Sequence, residues 1–299
     1  MKIFITGGTG FIGKHLVRKL SNSKNHEILL LSCNLKDDVD LESSNIKLIE
    51  GNLSNIAEWK YEVKKFGPQA TIHMAWEGIP DYGAETSIKN IKYGLDLFQM
   101  LSEIGCKKII STGSCWEYGK QKGSLNEEST INPNNAFTSA KNSLHWIGKY
   151  FAEEKNMQFI WTRLFYVYGP GQRKISIIPY IIDCIEQGKK PEIKTPSAKN
   201  DFIYVEDVVD AIIEILEKGN KSAVYNIGSG HLTSVKKIMD EVYKNLNIKN
   251  EVGMSKNENE SSYGEFWADI SEIKREIGWE PKVNIEEGIS RIVRSGEKK

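Results

Sequence analysis

The stretch from Lys2 to Gly13 restricts the fold more than any other. Lys2 to Thr6 alternates and is β-prone, Gly7-Gly8-Thr9-Gly10-Phe11-Ile12-Gly13 follows, and Phe11, Leu16, Val17 and Leu20 then fall on one side of a helical pattern. The order is strand, glycine turn, helix. Glycines at 7, 10 and 13 permit a tight turn, close approach of backbone to a pyrophosphate and close helix–strand packing, while the free N–H groups of a helix start bind phosphate. The spacing is G-x-x-G-x-x-G rather than G-x-G-x-x-G. A bare glycine turn also serves as a plain connector, but between a clear strand and a clear helix it reads as a dinucleotide site.

An acidic residue gripping the adenosine ribose is expected about 20 residues beyond such glycines. The second strand, Ile28 to Leu31, ends instead at Ser32-Cys33-Asn34. With no carboxylate to repel a 2′-phosphate and with Lys36 close by, the cofactor reading is NADP or NAD with a lean to NADP; ribose contacts from backbone and Asn34 are the competing account. Ile46 to Glu50 reads as a third strand, followed by Gly51-Asn52-Leu53, and Ala70 to His73 as a fourth, followed by Met74-Ala75-Trp76. Ligands bind at such strand ends in an open parallel sheet.

Ser87 to Glu103 has apolar residues at helical spacing and stops at Gly105, and Lys107 to Ile110 is a fifth strand that delivers Ser111 to Gly119 to the same edge. The helix from Thr138 to about Glu154 carries Ala140, Leu144, Ile147 and Phe151 on one stripe and Trp146 and Tyr150 on another. The two stripes suit a sheet and a neighbouring subunit, or a wholly intramolecular core. Phe159 to Leu164 is a sixth strand, after which the rhythm breaks. Ile177 to Gln187 is helical, the Pro191 and Pro196 region reads as a lid, Asp201 to Asp207 introduces a helix over Val208 to Lys218, and Ala223 to Ile227 is a last strand. Two further helices follow from Lys236, with Ser255 to Tyr263 expected as a mobile loop.

Composition excludes several classes. Lys plus Arg and Asp plus Glu are equal at 40 each, so no global field draws nucleic acid or an anionic membrane. No apolar run approaches a signal peptide or a membrane span, which points to the cytoplasm. Cys33, Cys106, Cys115 and Cys184 form no C-x-x-C pair and no spacing with His that suggests zinc, so reduced thiols and no metal are expected.

Phe137-Thr138-Ser139-Ala140-Lys141 looks like a catalytic pentapeptide without its most important atom. A tyrosine four residues before a lysine would set phenol and ammonium side by side on a helix, the charge lowering the phenol's pKa. Phenylalanine keeps the ring and loses the proton.

Taken together, Gly7-x-x-Gly10-x-x-Gly13, Ile72-His73-Met74-Ala75, Asn90, Ser114 with Tyr118-Gly119, Phe137-x-x-x-Lys141, Arg163-Leu164-Phe165 through Tyr168-Gly169-Pro170, Asp201 to Asp207, Asn226-Ile227-Gly228 and Gly278-Trp279 form an ordered set. The set resembles the extended short-chain dehydrogenase/reductases acting on nucleotide sugars: epimerases, dehydratases and ketoreductases. The resemblance implies an α/β fold, a doubly wound parallel (Rossmann) sheet in residues 1–170 with a return at about 201–230, and a smaller substrate-binding domain in 171–200 and 231–299. It implies an active site between the two. Ser114 would hydrogen-bond the reacting sugar oxygen, Phe137 stands where the phenol belongs, and Lys141 would hold the nicotinamide ribose. The cofactor would be held by Gly7, Thr9, Gly10, Phe11, Ile12 and Gly13, by Ser32 and Asn34, by Asn52 and Leu53, by Met74, Ala75 and Trp76, and by Asn90. Cys115, Trp116, Tyr166 and Arg173 would meet the nucleotide sugar. Relatives also imply a homodimer through the helices 87–103 and 138–154.

Three departures matter. Cys115 and Trp116 stand where similar 4,6-dehydratases carry Asp and Glu, which disfavours dehydration. Asn200 replaces an arginine of many relatives, and the loop before Trp267 lacks one; Arg173 and Lys174 offer replacement charge. Phe137 is the third. Either Ser114 or water takes over the proton, or the chain is a silent NAD(P)-binding regulatory or assembly module, or the Phe is an engineered substitution; the intact setting around it favours an engineered or recently disabled enzyme. The expected activity is 4-ketoreduction or 4-epimerisation. His73 reads as structural, His145 as an interface or surface residue, Cys115 as a small packing residue, and Tyr166 and Tyr168 as pocket walls or substitute phenols.

Overall fold

A computed structural model describes residues 1–23, 25–34, 43–249 and 265–296. The strands are β1 Lys2–Thr6, β2 Glu27–Ser32, β3 Ile46–Glu50, β4 Ala70–His73, β5 Lys108–Ser114, β6 Gly123–Leu125, β7 Gln158–Leu164, β8 Tyr166–Tyr168, β9 Lys199–Asn200, β10 Phe202–Tyr204, β11 Ala223–Ile227, β12 Thr233–Ser234 and β13 Phe266–Ala268. The helices are α1 Phe11–Ser23, α2 Lys60–Phe66, α3 Ala84–Glu103, α4 Ala136–Glu154, α5 Ile177–Glu186, α6 Val205–Lys218, α7 Val235–Asn245, α8 Ser271–Ile277 and α9 Ile285–Gly296. Lys36 and the stretch Ser255 to Tyr263 lie outside the described residues.

Seven strands form one sheet in the order β11-β7-β5-β4-β1-β2-β3, and the pairs among β1 to β5 are parallel. Ile3, Phe4 and Ile5 of β1 and Leu29 and Leu30 of β2 are fully buried, as continuous apolar strands must be when both faces are covered. The chain steps outward from β1 to β2 and β3, then returns to the other side of β1 as β4. That reversal is the switch point at which open α/β sheets bind ligands, so the chain leaving β1 and the chain leaving β4 flank a natural crevice.

The chain divides into two compact units: Met1–Tyr118 with Thr130–Arg163 and Val209–Tyr225, and Gly119–Ser129 with Leu164–Val208 and Asn226–Lys299. The first has its core around Phe4, Leu29, Trp59, Phe98, Phe159 and Trp161. The second is built of the short pairs β8 with β10, β9 with β12 and β6 with β13, over a core that includes Tyr168, Ile181, Tyr204, Ile238 and Ile289. Two buried carboxylates of the Asp201 to Asp207 stretch tie the second unit together. Asp201 accepts the N–H groups of Gly230 at 3.1 Å and Ala268 at 3.0 Å, and Asp207 those of Lys282 at 3.1 Å and Val283 at 2.9 Å.

Two readings of α4 need correction. Its buried stripe runs through Phe137, Ala140, Lys141, Leu144, His145, Gly148 and Ala152, following the helical period, which leaves Ile147 exposed beside Trp146 and Tyr150. His145 is therefore a core residue and not a surface one. Its ring stacks on Trp161 of β7, centroids 5.2 Å apart and planes 17° from parallel. No helix among the described residues is long and apolar enough to cross a membrane.

Candidate active site

β1 hands the chain to the glycine turn. Gly7 adopts φ +75°, and Gly10 N–H donates to Gly7 O at 3.1 Å. A Cβ on Gly7 would stand 2.5 Å from Ala75 N, and one on Gly13 would stand 2.1 Å from Gly7 O. Thr9, Gly10, Phe11 and Ile12 complete this turn, which leaves no room for a side chain at either glycine and ends in the first turn of α1, whose N–H groups have no acceptor within the helix. Such a cradle fits the pyrophosphate of a dinucleotide.

At the ends of the next two strands the polar groups bond to one another. Ser32 Oγ donates to Asn34 O at 2.9 Å, and Asn52 Oδ1 accepts the Ser54 N–H at 2.8 Å, opening a 3₁₀ turn at half-buried Leu53. β4 releases the chain into Met74, Ala75 and Trp76, and the loop beyond is pinned. Asn90 of α3 accepts the Glu77 N–H at 2.8 Å and donates to Glu77 O at 3.0 Å and Thr86 O at 2.8 Å, while Asp81 accepts the Gly83 N–H at 2.8 Å and the Thr86 hydroxyl. The Asn90 amide, expected at the cofactor, is thus engaged in shaping this loop.

Ser114 closes β5. Its hydroxyl accepts the Trp116 N–H at 3.2 Å and donates to no described residue. Underneath lies a network the motif reading missed. Fully buried Glu117 accepts the Ser114 N–H at 2.8 Å, Trp161 Nε1–H at 3.1 Å and Arg163 Nε–H at 3.2 Å, and Arg163 also donates to the Tyr118 hydroxyl at 3.0 Å. Burial pushes the Glu117 carboxyl up, and these donors oppose that shift. A carboxylate in the middle of Ser114 to Gly119 was the only signal available from the sequence.

α4 starts at Ala136 because Asn135 and Thr138 form a capping box: Asn135 Oδ1 accepts the Thr138 N–H at 2.9 Å, and Thr138 Oγ1 accepts the Asn135 N–H at 3.3 Å. Phe137 and Lys141 then lie one turn apart, both buried. Lys141 Nζ donates to Thr112 O on β5 at 2.7 Å and sits 4.0 Å from the centre of the Trp76 ring. Burial lowers the Lys141 pKa to about 7, against which Glu117 raises it. The Phe137 ring is met edge-on by Trp76 at 5.4 Å, Tyr82 at 5.1 Å and Trp116 at 6.1 Å. Trp76 Nε1 is buried without a partner.

The structure thus brings Ser114, Trp116, Phe137, Lys141 and Trp76 together, with Cys115 buried beside Ser114. His73, buried, exchanges a 2.7 Å hydrogen bond with Thr6 and has its pKa lowered to about 3 by burial and the Lys141 charge, which keeps it neutral. Tyr166 and Arg173 belong to the second unit, Tyr166 with its ring 5.8 Å from that of Phe202, and Arg173 exposed between β8 and α5. Tyr168 is buried and its hydroxyl donates to Asn284 O at 3.4 Å, so it is no spare phenol.

Residues 3–228 match the NAD dependent epimerase/dehydratase family. The chain is 27 % identical over 310 aligned positions to dTDP-4-dehydro-6-deoxyglucose reductase from Escherichia coli, covering 98 % of this chain and 96 % of that protein. It is 28 % identical over 325 positions to dTDP-D-glucose 4,6-dehydratase from Mus musculus, covering 98 % and 87 %. Among solved structures, a tyrosine-to-phenylalanine mutant of UDP-glucuronic acid 4-epimerase from Bacillus cereus, in complex with UDP-4-deoxy-4-fluoro-glucuronic acid and NAD, has a TM-score of 0.87 at 22 % identity, covering 100 % of this chain and 99 % of that one. At that identity the likeness is one of fold.

Proposed function

Because the chain belongs to the NAD dependent epimerase/dehydratase family, we propose that it handles hydride and proton at C4 of a nucleotide-activated sugar, as a 4-ketoreductase or a 4-epimerase. The observation carrying this reading is Lys141 bonded to Thr112, two residues before Ser114, with Phe137 one turn away on the same helix. Bound NAD supplies a hydride acceptor or donor. The chain's own groups do the rest: the glycine turn holds the pyrophosphate, the Ser114 hydroxyl donates to the sugar oxygen, and Lys141 holds the nicotinamide ribose.

Phe137 stands at the proton's station and has no proton to move. A positioned acid/base contributes 10²- to 10⁴-fold, roughly 3 to 5 kcal/mol of barrier, whereas positioning of sugar and cofactor survives its loss. Binding without fast turnover is the expected behaviour. Dehydration is disfavoured because Cys115 and Trp116 follow Ser114 and the nearest acid, Glu117, is buried in its ion pair with Arg163. A second reading, a silent dinucleotide-binding module, rests on Phe137 alone.

Ser32 in place of an acid supports acceptance of NADP alongside NAD. The exposed Ile88, Trp146, Ile147 and Tyr150 of α3 and α4 support a homodimer. Calorimetric titration with NAD⁺, NADP⁺ and a panel of UDP-, dTDP- and CDP-hexoses tests the binding half of the reading. Micromolar binding of a dinucleotide and of at least one nucleotide sugar is expected; binding of neither contradicts it.

A further inference from the structure

Resting on the reading just proposed, we infer that Tyr82 carries the proton that Phe137 cannot. Among the described residues, Tyr82 is the one phenol in ring contact with Phe137, centroids 5.1 Å apart and planes 66° from parallel, and it also meets Trp116 at 5.5 Å. Trp116 donates its N–H to Ser114 Oγ, so the phenol belongs to the same cluster as the hydroxyl that would hold the sugar oxygen. Tyr82 is half-buried, and its own hydroxyl bonds to no described residue.

Hydrogen bonds on both sides hold the loop that carries this residue. Glu77 is clamped by Asn90 on one side, and Asp81 with Gly83 and Thr86 fixes the other, immediately flanking Tyr82. Two other phenols are occupied: Tyr118 is buried against Arg163, and Tyr168 donates to Asn284 O. In the reductive direction, the hydride that NAD(P)H would supply adds to the C4 carbonyl carbon as the Tyr82 O–H bond breaks and its proton passes to the carbonyl oxygen, giving alcohol and NAD(P)⁺. The phenolate left behind takes a proton from water, releasing hydroxide to solvent, and oxidation runs the same step backwards.

A double-mutant cycle tests the assignment. Tyr82→Phe keeps the ring packing and removes one oxygen, in the Phe137 protein and in the Phe137→Tyr protein. Turnover of the nucleotide-sugar panel should fall about tenfold or more in the first background and less than about threefold in the second, since a second phenol is redundant once the first is restored. Equal losses in both backgrounds, or none in the first, overturn the inference while leaving the proposed function standing. Absence of turnover by the Phe137→Tyr protein overturns both. A readout independent of turnover is ¹⁹F resonance from 3-fluorotyrosine placed at position 82. It should shift when dTDP-glucose or UDP-glucose is added with NAD⁺, and an unmoved resonance with nucleotide sugar demonstrably bound contradicts contact.

Discussion

Lys141 shows how much one residue's meaning depends on its surroundings. Its ammonium is buried, bonded to a single carbonyl and laid over an indole ring, so burial lowers its pKa from 10.5 to about 7. Between those values the unfolded chain holds a proton that the folded chain has released, so this group makes stability rise with pH from about 7 to 10.5 and contributes no slope below. Urea unfolding of the cofactor-free protein across that window should show the rise, and Lys141→Met should flatten it. An unchanged slope in the variant contradicts a neutral buried amine. Ser114, Phe137 and Lys141 could be proposed from sequence because motif spacing singles them out, and the fold sets Phe137 and Lys141 one turn apart with Lys141 bonded to Thr112 beside Ser114. Tyr82 and Glu117 could not, since their contacts depend on the path of a loop and on what lies beneath a strand. His145 was misplaced because apolar stacking above β7 recruits a residue that polarity alone assigns to the surface.

At the scale of elements, the site is held by close packing at the end of β5. A Cβ on Gly113 would stand 2.2 Å from Trp161 Nε1 and 2.4 Å from Glu117 Oε1, so Gly113→Ala drives apart the buried Glu117–Arg163 pair and the Ser114 N–H it anchors. We expect roughly 2 to 4 kcal/mol lost in chemical denaturation, from overpacking plus strain on a buried ion pair. A loss below about 0.5 kcal/mol would show that the network yields freely. The seven strands of the main sheet were legible from their apolar runs, although β5 runs on to Ser114 where Ile110 was expected to end it; the short strands β6, β8, β9, β10, β12 and β13 were not, because two or three residues carry no readable alternation. Helix starts were less so: α4 begins at Ala136 and not Thr138 because the Asn135–Thr138 capping box stops the extended chain earlier than the apolar stripe suggests.

For the molecule as a whole, the parallel sheet with its switch point follows from the sequence of strands, helices and glycine turn, and the family match over residues 3–228 agrees with it. Quaternary structure is a prediction at this scale. Ile88 of α3 is 65 % exposed, and Ile147 and Tyr150 of α4 are 48 % and 56 % exposed, apolar side chains that one subunit leaves in water. Sedimentation at micromolar concentration should give a dimer, and Ile88→Glu with Tyr150→Glu should give a folded monomer. A wild-type monomer rules out these residues as a dimer contact.

The proposed chemistry turns on the side chain at position 137. Phe137 protein and Phe137→Tyr protein, each loaded with NAD⁺ and mixed with the same panel of nucleotide sugars, can be followed for NADH and for 4-keto or C4-inverted products. A phenol at position 137 should raise kcat up to about 10²- to 10⁴-fold, less whatever Tyr82 already supplies, with dissociation constants changed less than about threefold. Phe137→Tyr protein that binds NAD⁺ and a nucleotide sugar yet forms neither NADH nor product would contradict it.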